Sequence, residues 1–153
     1  MRVELTKDFT FESAHRLPMV PSDHKCFRMH GHSYRIEVSV AGEVDPKLGW
    51  LVDFGEIAAR VEPVLKAELD HRVLNDVPGL ENPTSEILAA WLWKRLSPLV
   101  PQLAAITHPA ESCGVESLTC PRPPDLHPVA ADCSTDKDDH PGAARLRPTE
   151  ARA

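Results

Sequence analysis

The strongest constraint on the fold is an alternation of apolar and polar side chains in two early segments of the chain. Such alternation is typical of strands that bury one face and expose the other. The irregular stretch between the two segments contains two prolines and is predicted to be a long loop, which in a compact domain is usually functional. The apolar positions are Val3, Leu5, Phe9 and Phe11 in the first segment and Tyr34, Ile36, Val38 and Val40 in the second.

Two helices are predicted after these strands. The first begins at Asp53, which can cap the unpaired N–H groups of a first turn, and Pro63 is expected to kink it. The second begins with Pro83 at its first position. The side chains expected to face the sheet are Phe54, Ile57, Ala58, Val61, Leu65 and Leu69 in the first helix, and Ile87, Leu88, Trp91, Leu92 and Leu96 in the second. A last strand starts at 103–106, and strands that precede helices favour an α+β fold with an antiparallel sheet and two helices on one face.

The composition changes near residue 119. From Thr119 to Ala153 the chain has no Phe, Trp, Tyr, Ile or Met, and six prolines cluster there. Such a segment cannot bury enough apolar surface to repay the entropy of ordering. The sequence therefore predicts one domain over residues 1–118 and a disordered tail over 119–153 that is unrelated to the fold.

Charge and hydropathy exclude some classes of partner. The net charge is −6 over 153 residues, which gives no electrostatic reason to expect nucleic acid or an anionic membrane. No apolar run is long enough for a membrane span, and the first residues lack the layout of a signal peptide. We therefore expect a cytoplasmic protein.

Three histidines are placed to bind one metal ion. His30 and His32 are two positions apart on the second predicted strand, so their side chains point to the same face. His15 is the last residue of the first strand and lies on the same face as the apolar residues of that strand. Pairing of the two strands would bring His15 close to His30 and His32. Three nitrogen ligands without an obvious fourth are typical of a catalytic Zn²⁺ with an open position.

Cys26 lies four residues before His30, and its neighbours Lys25 and Arg28 favour the thiolate. A thiolate there could act as a base or nucleophile. Cys26 could instead be a buried small hydrophobe or a fourth zinc ligand, and the sequence leaves these roles open.

Asp70 and His71 form a second candidate group. A carboxylate beside an imidazole can hold the tautomer that a proton-transfer pair requires. Neighbouring residues often point apart, so a solvated helix end is the alternative.

Taken together, these residues resemble the 6-pyruvoyltetrahydropterin synthase family, and in particular its bacterial branch, which makes 6-carboxy-5,6,7,8-tetrahydropterin for the queuosine pathway. The matching stretches are KDFTFESAHRLP, HKCFRMHGHSY, GEVDPKLGWLVDF, LDHRVLNDVPGLENPTSE and AAWLW. The bacterial branch is indicated by the spacing C-x-x-x-H-G-H, because the animal enzymes have a longer gap.

The resemblance implies the fold, the site and the reaction. It implies a tunnelling fold whose subunit sheets join into a barrel, assembled as a homo-hexamer or other homo-oligomer. The reaction would convert 7,8-dihydroneopterin triphosphate to 6-carboxy-5,6,7,8-tetrahydropterin, acetaldehyde and triphosphate. The implied residues are His15, His30 and His32 as zinc ligands, Cys26, Asp70 and His71 in catalysis, and Thr84, Ser85 and Glu111 in substrate binding.

The carboxyl-terminal end departs from the family pattern. Family members close with a strand whose glutamate binds the pterin edge, and here Glu111 and Glu116 both qualify. Pro109 and an apparent extra residue before Glu111 disturb that strand, because one extra residue reverses the face of a side chain. The altered strand makes one alternative a zinc-stabilised pterin-binding protein that has lost turnover. A second alternative, independent of that strand, is a 6-pyruvoyltetrahydropterin synthase with the same metal and a different product.

Overall fold

The computed structural model describes residues 1–108, 118–121 and 145–148. The strands are β1 (Arg2–His15), β2 (His30–Glu43), β3 (Arg72–Val73), β4 (Leu103–His108), β5 (Leu118–Pro121) and β6 (Arg145–Pro148). The helices are α1 (Phe54–Val64), which continues as a π-helical turn (Leu65–Leu69), and α2 (Ser85–Leu96). This α+β architecture agrees with the sequence, and within the described residues no helix has the length and apolar character needed to cross a membrane.

The sheet has the order β3-β1-β2-β4-β5, with β6 also paired to β1. The long strands β1 and β2 pair antiparallel over their full lengths, as the alternation predicts. The expectation of a purely antiparallel sheet is wrong, however, because β3 runs parallel to β1. The chain runs from β1 through the antiparallel strand β2 and helix α1 before it reaches β3, so β3 is antiparallel to β2 and has the same direction as β1.

The first helix follows its prediction. The carboxylate of Asp53 accepts a hydrogen bond from the N–H of Gly55 at 2.6 Å and caps α1. Pro63 lies inside the helix, and the regular α-helix ends one residue later, where the π-helical turn begins.

The second helix begins later than predicted. Pro83 precedes the cap instead of starting the helix, because the Thr84 hydroxyl accepts from the N–H of Ile87 at 3.4 Å and sets the first turn at Ser85. Ile87 is 44% exposed and is not part of the buried stripe. The buried side chains of α2 lie on the helix face that is centred on Leu92, and Ile87 lies outside that face.

One hydrophobic core joins the sheet to both helices. The inward side chains of β1 and β2 pack with Ile57, Val61 and Leu65 of the first helical segment and with Leu88, Leu92 and Leu96 of α2. This packing holds the carboxyl end of β1 and the amino end of β2 in a fixed position.

Two short strands fall largely within the segment predicted to be a disordered tail. β5 pairs with β4, and β6 pairs with β1. Backbone N–H and C=O groups at a sheet edge can pair with any sequence that carries the same groups, so strand pairing does not require apolar composition. The rest of residues 119–153 lies outside the described residues, and the domain division stays a prediction.

Candidate metal centre

Three imidazole rings converge at one end of the β1–β2 pair. His15, the last residue of β1, lies opposite His30, the first residue of β2, and Ser13 lies opposite His32. The ring centroid of His15 is 4.6 Å from that of His30 and 5.0 Å from that of His32, and the last two are 4.6 Å apart. One nitrogen from each ring lies within 4.8 Å of the others, so the group could hold a metal ion.

Backbone carbonyl groups orient two of these rings. The Nδ1 atom of His15 is 3.1 Å from the carbonyl oxygen of Pro83, and Nδ1 of His30 is 2.7 Å from that of Arg28. A carbonyl oxygen only accepts, so each Nδ1 carries the proton and each Nε2 carries the lone pair. Ligating histidines commonly donate their other N–H to such an acceptor. The donor set therefore fits a cation that prefers nitrogen, such as Zn²⁺.

The Pro83 and Arg28 carbonyls could not be found from the sequence. Every residue has a carbonyl group, so no residue type marks the one that a histidine will meet. Only the position of Arg28, two residues before His30, offers a weak local signal.

Cys26 lies on a single 3₁₀ turn, Lys25–Phe27, in the loop between the metal-site strands. Its N–H donates to Nδ1 of His24 at 3.1 Å, and its carbonyl accepts from the N–H of Leu17 at 2.8 Å. The residue is 5% exposed. Within the described residues, the group of side chains that could hold a metal ion does not include Cys26.

Asp70 and His71 point toward each other. Nδ1 of His71 is 3.1 Å from Oδ1 of Asp70, and the same oxygen accepts the N–H of Glu12 at 3.0 Å. The N–H of His71 donates to the carbonyl of Glu12 at 2.6 Å. Because the carboxylate accepts at Nδ1, Nε2 of the neutral ring carries the lone pair and can take up a proton.

The carboxylate of this pair is held in its charged form. The Glu12 N–H lowers the pKa of Asp70 most, and the hydrogen bond and charge of His71 lower it further, while desolvation opposes them. His71 has a φ of 55°, in the left-handed region that side chains other than glycine seldom adopt. Its backbone hydrogen bond to Glu12 holds this conformation, and strain of this kind is often found at functional sites.

An open cleft of about 510 Å³ lies beside both groups. It brings His32 of the histidine cluster and His71 of the carboxylate pair to one cavity. The residues that line it are Glu12, Ser13, Ala14, Gly31, His32, Ser33, His71, Arg72 and Val73.

Two of the predicted substrate-binding residues, Thr84 and Ser85, lie at the start of α2. Thr84 caps α2 and Ser85 is its first residue, so both follow Pro83, whose carbonyl orients His15. Neither residue lines the cleft. Glu111 and its alternative Glu116 lie outside the described residues.

Fold and site together describe an α+β protein with a three-histidine metal centre beside a carboxylate–imidazole pair. A sequence profile described as 6-pyruvoyl tetrahydropterin synthase matches residues 4–114, and the chain belongs to that family.

Three named relatives show the range of this similarity. The 6-carboxy-5,6,7,8-tetrahydropterin synthase of Synechocystis sp. is 45% identical over 94 residues, which cover 59% of this chain and 71% of that protein. The dihydroneopterin monophosphate aldolase of Pyrococcus furiosus is 34% identical over 101 residues, covering 66% and 81%. The solved 6-pyruvoyl tetrahydropterin synthase of Caenorhabditis elegans superposes with a TM-score of 0.71 at 27% identity, covering 80% of this chain and 97% of that one.

Proposed function

We propose that this protein is a zinc-dependent lyase that converts 7,8-dihydroneopterin triphosphate and water to 6-carboxy-5,6,7,8-tetrahydropterin, acetaldehyde and triphosphate, as a step of queuosine biosynthesis. The observation that carries the proposal is the cleft, which is lined both by His32 of the histidine cluster and by His71 of the carboxylate pair. The 45% identity to a cyanobacterial 6-carboxy-5,6,7,8-tetrahydropterin synthase supports the choice of product.

His15, His30 and His32 would hold the zinc ion. When bound, zinc lowers the pKa of a coordinated hydroxyl and stabilises the negative charge that develops as protons move. The chain contributes ring orientation, because the Pro83 and Arg28 carbonyls each hold Nδ1 of one ligand. Fixed rings lower the cost of organising the site when metal and substrate bind.

His71 is the proposed exposed proton carrier. Its ring is 78% exposed, and Asp70 holds the proton on Nδ1, so that Nε2 accepts a proton from the side chain of the substrate. Asp70 is ionised at neutral pH, and its lowered pKa keeps it ionised further into acid; its charge stabilises the imidazolium formed when His71 takes up that proton.

Cys26 is the proposed second base. The hydrogen bonds of its backbone to His24 and Leu17 fix the turn. Lys25 and Arg28 on the same loop favour a thiolate. Thr84, Ser85 and Glu111 are proposed to bind the substrate, with Glu111 accepting the N–H donors of the pterin edge.

Assembly and location belong to the same proposal. Leu48 and Trp50 are 62% and 51% exposed in the single chain, a pair of apolar side chains that a homo-oligomer could cover. We propose a homo-hexamer or other homo-oligomer in the cytoplasm, with residues 1–118 as the catalytic domain.

Product analysis with 7,8-dihydroneopterin triphosphate tests the reaction. The carboxylated pterin, acetaldehyde and triphosphate are expected together. Triphosphate release with a pyruvoyl pterin and no acetaldehyde would instead favour a 6-pyruvoyltetrahydropterin synthase, the activity named for the C. elegans structure. Substrate binding without turnover by the zinc-loaded protein would favour the inactive pterin-binding alternative. The His32→Ala protein, prepared identically, is the control, because any product it forms measures contaminating enzyme.

A further inference from the structure

One asparagine side chain pairs with the backbone next to a proposed metal ligand. Oδ1 of Asn75 accepts the N–H of Arg16 at 2.9 Å, and Nδ2 donates to the carbonyl of Arg16 at 2.9 Å. Arg16 directly follows His15. A single amide therefore satisfies both backbone groups of the residue after the ligand.

The side-chain amide of Asn75 bonds to the backbone at the point where the pairing of β3 with β1 ends. β3 pairs with β1 at Ser13 and Ala14, and the chain then turns away in a 3₁₀ turn, Leu74–Asp76. The backbone beyond β3 therefore no longer runs beside β1, and the Asn75 side chain supplies an equivalent donor and acceptor one step further along. This extends the support of β1 past His15.

The same side chain reaches the segment that orients His15. Nδ2 of Asn75 also donates to the carbonyl of Glu81 at 3.1 Å. Two residues later, the Pro83 carbonyl accepts from Nδ1 of His15 at 3.1 Å. Asn75 thus links the strand that carries the ligand to the turn that sets the tautomer of the ligand.

Only a side-chain amide satisfies all three partners. It offers one acceptor for the Arg16 N–H and two N–H donors for the two carbonyls. Aspartate would keep the acceptor, lose both donors and face two carbonyl oxygens with a negative charge. Alanine would remove all three hydrogen bonds.

We propose that Asn75 is a positioning residue for the metal centre. It fixes the position of His15 relative to the Pro83 carbonyl, so that Nε2 of His15 is oriented to bind the ion. The inference rests on the metal centre of the proposed function but not on the identity of the substrate or product. Its action is through His15, and it does not require contact between Asn75 and the metal.

The test compares zinc affinity among purified variants of the full chain by competition with a chromophoric chelator. Asn75→Asp and Asn75→Ala are the test variants. Asp53→Ala is the matched control, since it removes the cap of α1, whose bond is to Gly55, and lowers stability without touching the histidine strands. We expect the Asn75 variants to bind zinc about 10–100-fold more weakly, the loss typical when the outer partner of a ligating histidine, here the Pro83 carbonyl, is no longer held in place. The control should melt at a lower temperature with parental zinc affinity.

Cobalt substitution supplies a second readout. The visible bands of Co²⁺ report ligand geometry, so Asn75→Asp should change their position or intensity and Asp53→Ala should not. Parental affinity and parental cobalt bands in folded Asn75 variants would overturn the assignment. Loss of the fold in both Asn75 variants would also overturn it, because the residue would then be needed for folding and not for the metal. If zinc binds as expected but product analysis fails, the proposed reaction is wrong and the Asn75 inference stands.

Discussion

Replacement of Cys26 by alanine separates the three roles that the sequence leaves open. The backbone of Cys26 is held by His24 and Leu17, so alanine should keep the turn in place. If the thiol is a base, turnover should fall by about 10²–10⁴-fold, the contribution of a positioned acid–base group. That loss corresponds to about 2.7–5.5 kcal/mol of transition-state stabilisation.

The loss of stability caused by Cys26→Ala is smaller than the expected loss of turnover in free-energy terms, and it can be measured separately. Cys26 is 5% exposed, so alanine removes one buried sulfur atom. The loss of a buried group of that size costs about 1 kcal/mol of unfolding free energy, which lowers the Tm by roughly 2–6 °C. A packing role therefore predicts a lower Tm with nearly full activity, and a catalytic role predicts a far larger loss of activity.

Zinc content, Tm and turnover should be measured on one preparation of Cys26→Ala. The expected result is stoichiometric zinc, a small fall in Tm and the large loss of turnover. Loss of zinc would identify a fourth ligand. Full activity in the alanine protein would refute the reasoning and leave His71 as the candidate base.

Three further predictions concern the metal, the carboxylate pair and assembly. His32→Ala should lose zinc and activity together. The control His24→Asn, which keeps an acceptor for the Cys26 N–H, should retain zinc. Stoichiometric zinc in His32→Ala by metal analysis would contradict the ligand set. The pKa of Asp70 is lowered from 3.8, chiefly by the Glu12 N–H, so the stability it contributes is present above that value and is lost as the pH falls through its lower folded pKa. The Tm difference between the parent and Asp70→Asn should therefore shrink as the pH falls below 3.8, and a difference that keeps growing below that pH would refute the assignment. Light scattering should report a homo-oligomer, and a stable, active monomer would rule out the proposed assembly.

Much of the fold could be predicted because its signals are local. The alternation in β1 and β2 follows from the two-residue period of a strand, and Asp53 marks the start of α1 by its capping oxygen. The sequence predicts the start of α2 too early because Pro83 and Thr84 both favour helix starts, and the Thr84 hydroxyl makes the actual cap. The sequence does not predict the parallel strand β3, because two residues carry no periodicity.

The sequence by itself determined which side chains could form the metal centre. Strand parity places His30 and His32 on one face, and it places His15 on the matching face of the paired strand. Parity is a property of the extended backbone and needs no knowledge of distant contacts.

Only the tertiary structure decided how those side chains are held. The Pro83 carbonyl that orients His15 is 68 residues away along the chain, and the Glu12 N–H that holds Asp70 is 58 residues from it. These partners are backbone groups, which every residue possesses, so no residue type in the sequence identifies them. Their proximity exists only once β1, α1 and the turn before α2 have packed on one core, and that packing selects the tautomer of His15 and fixes the Asp70 carboxylate beside Glu12.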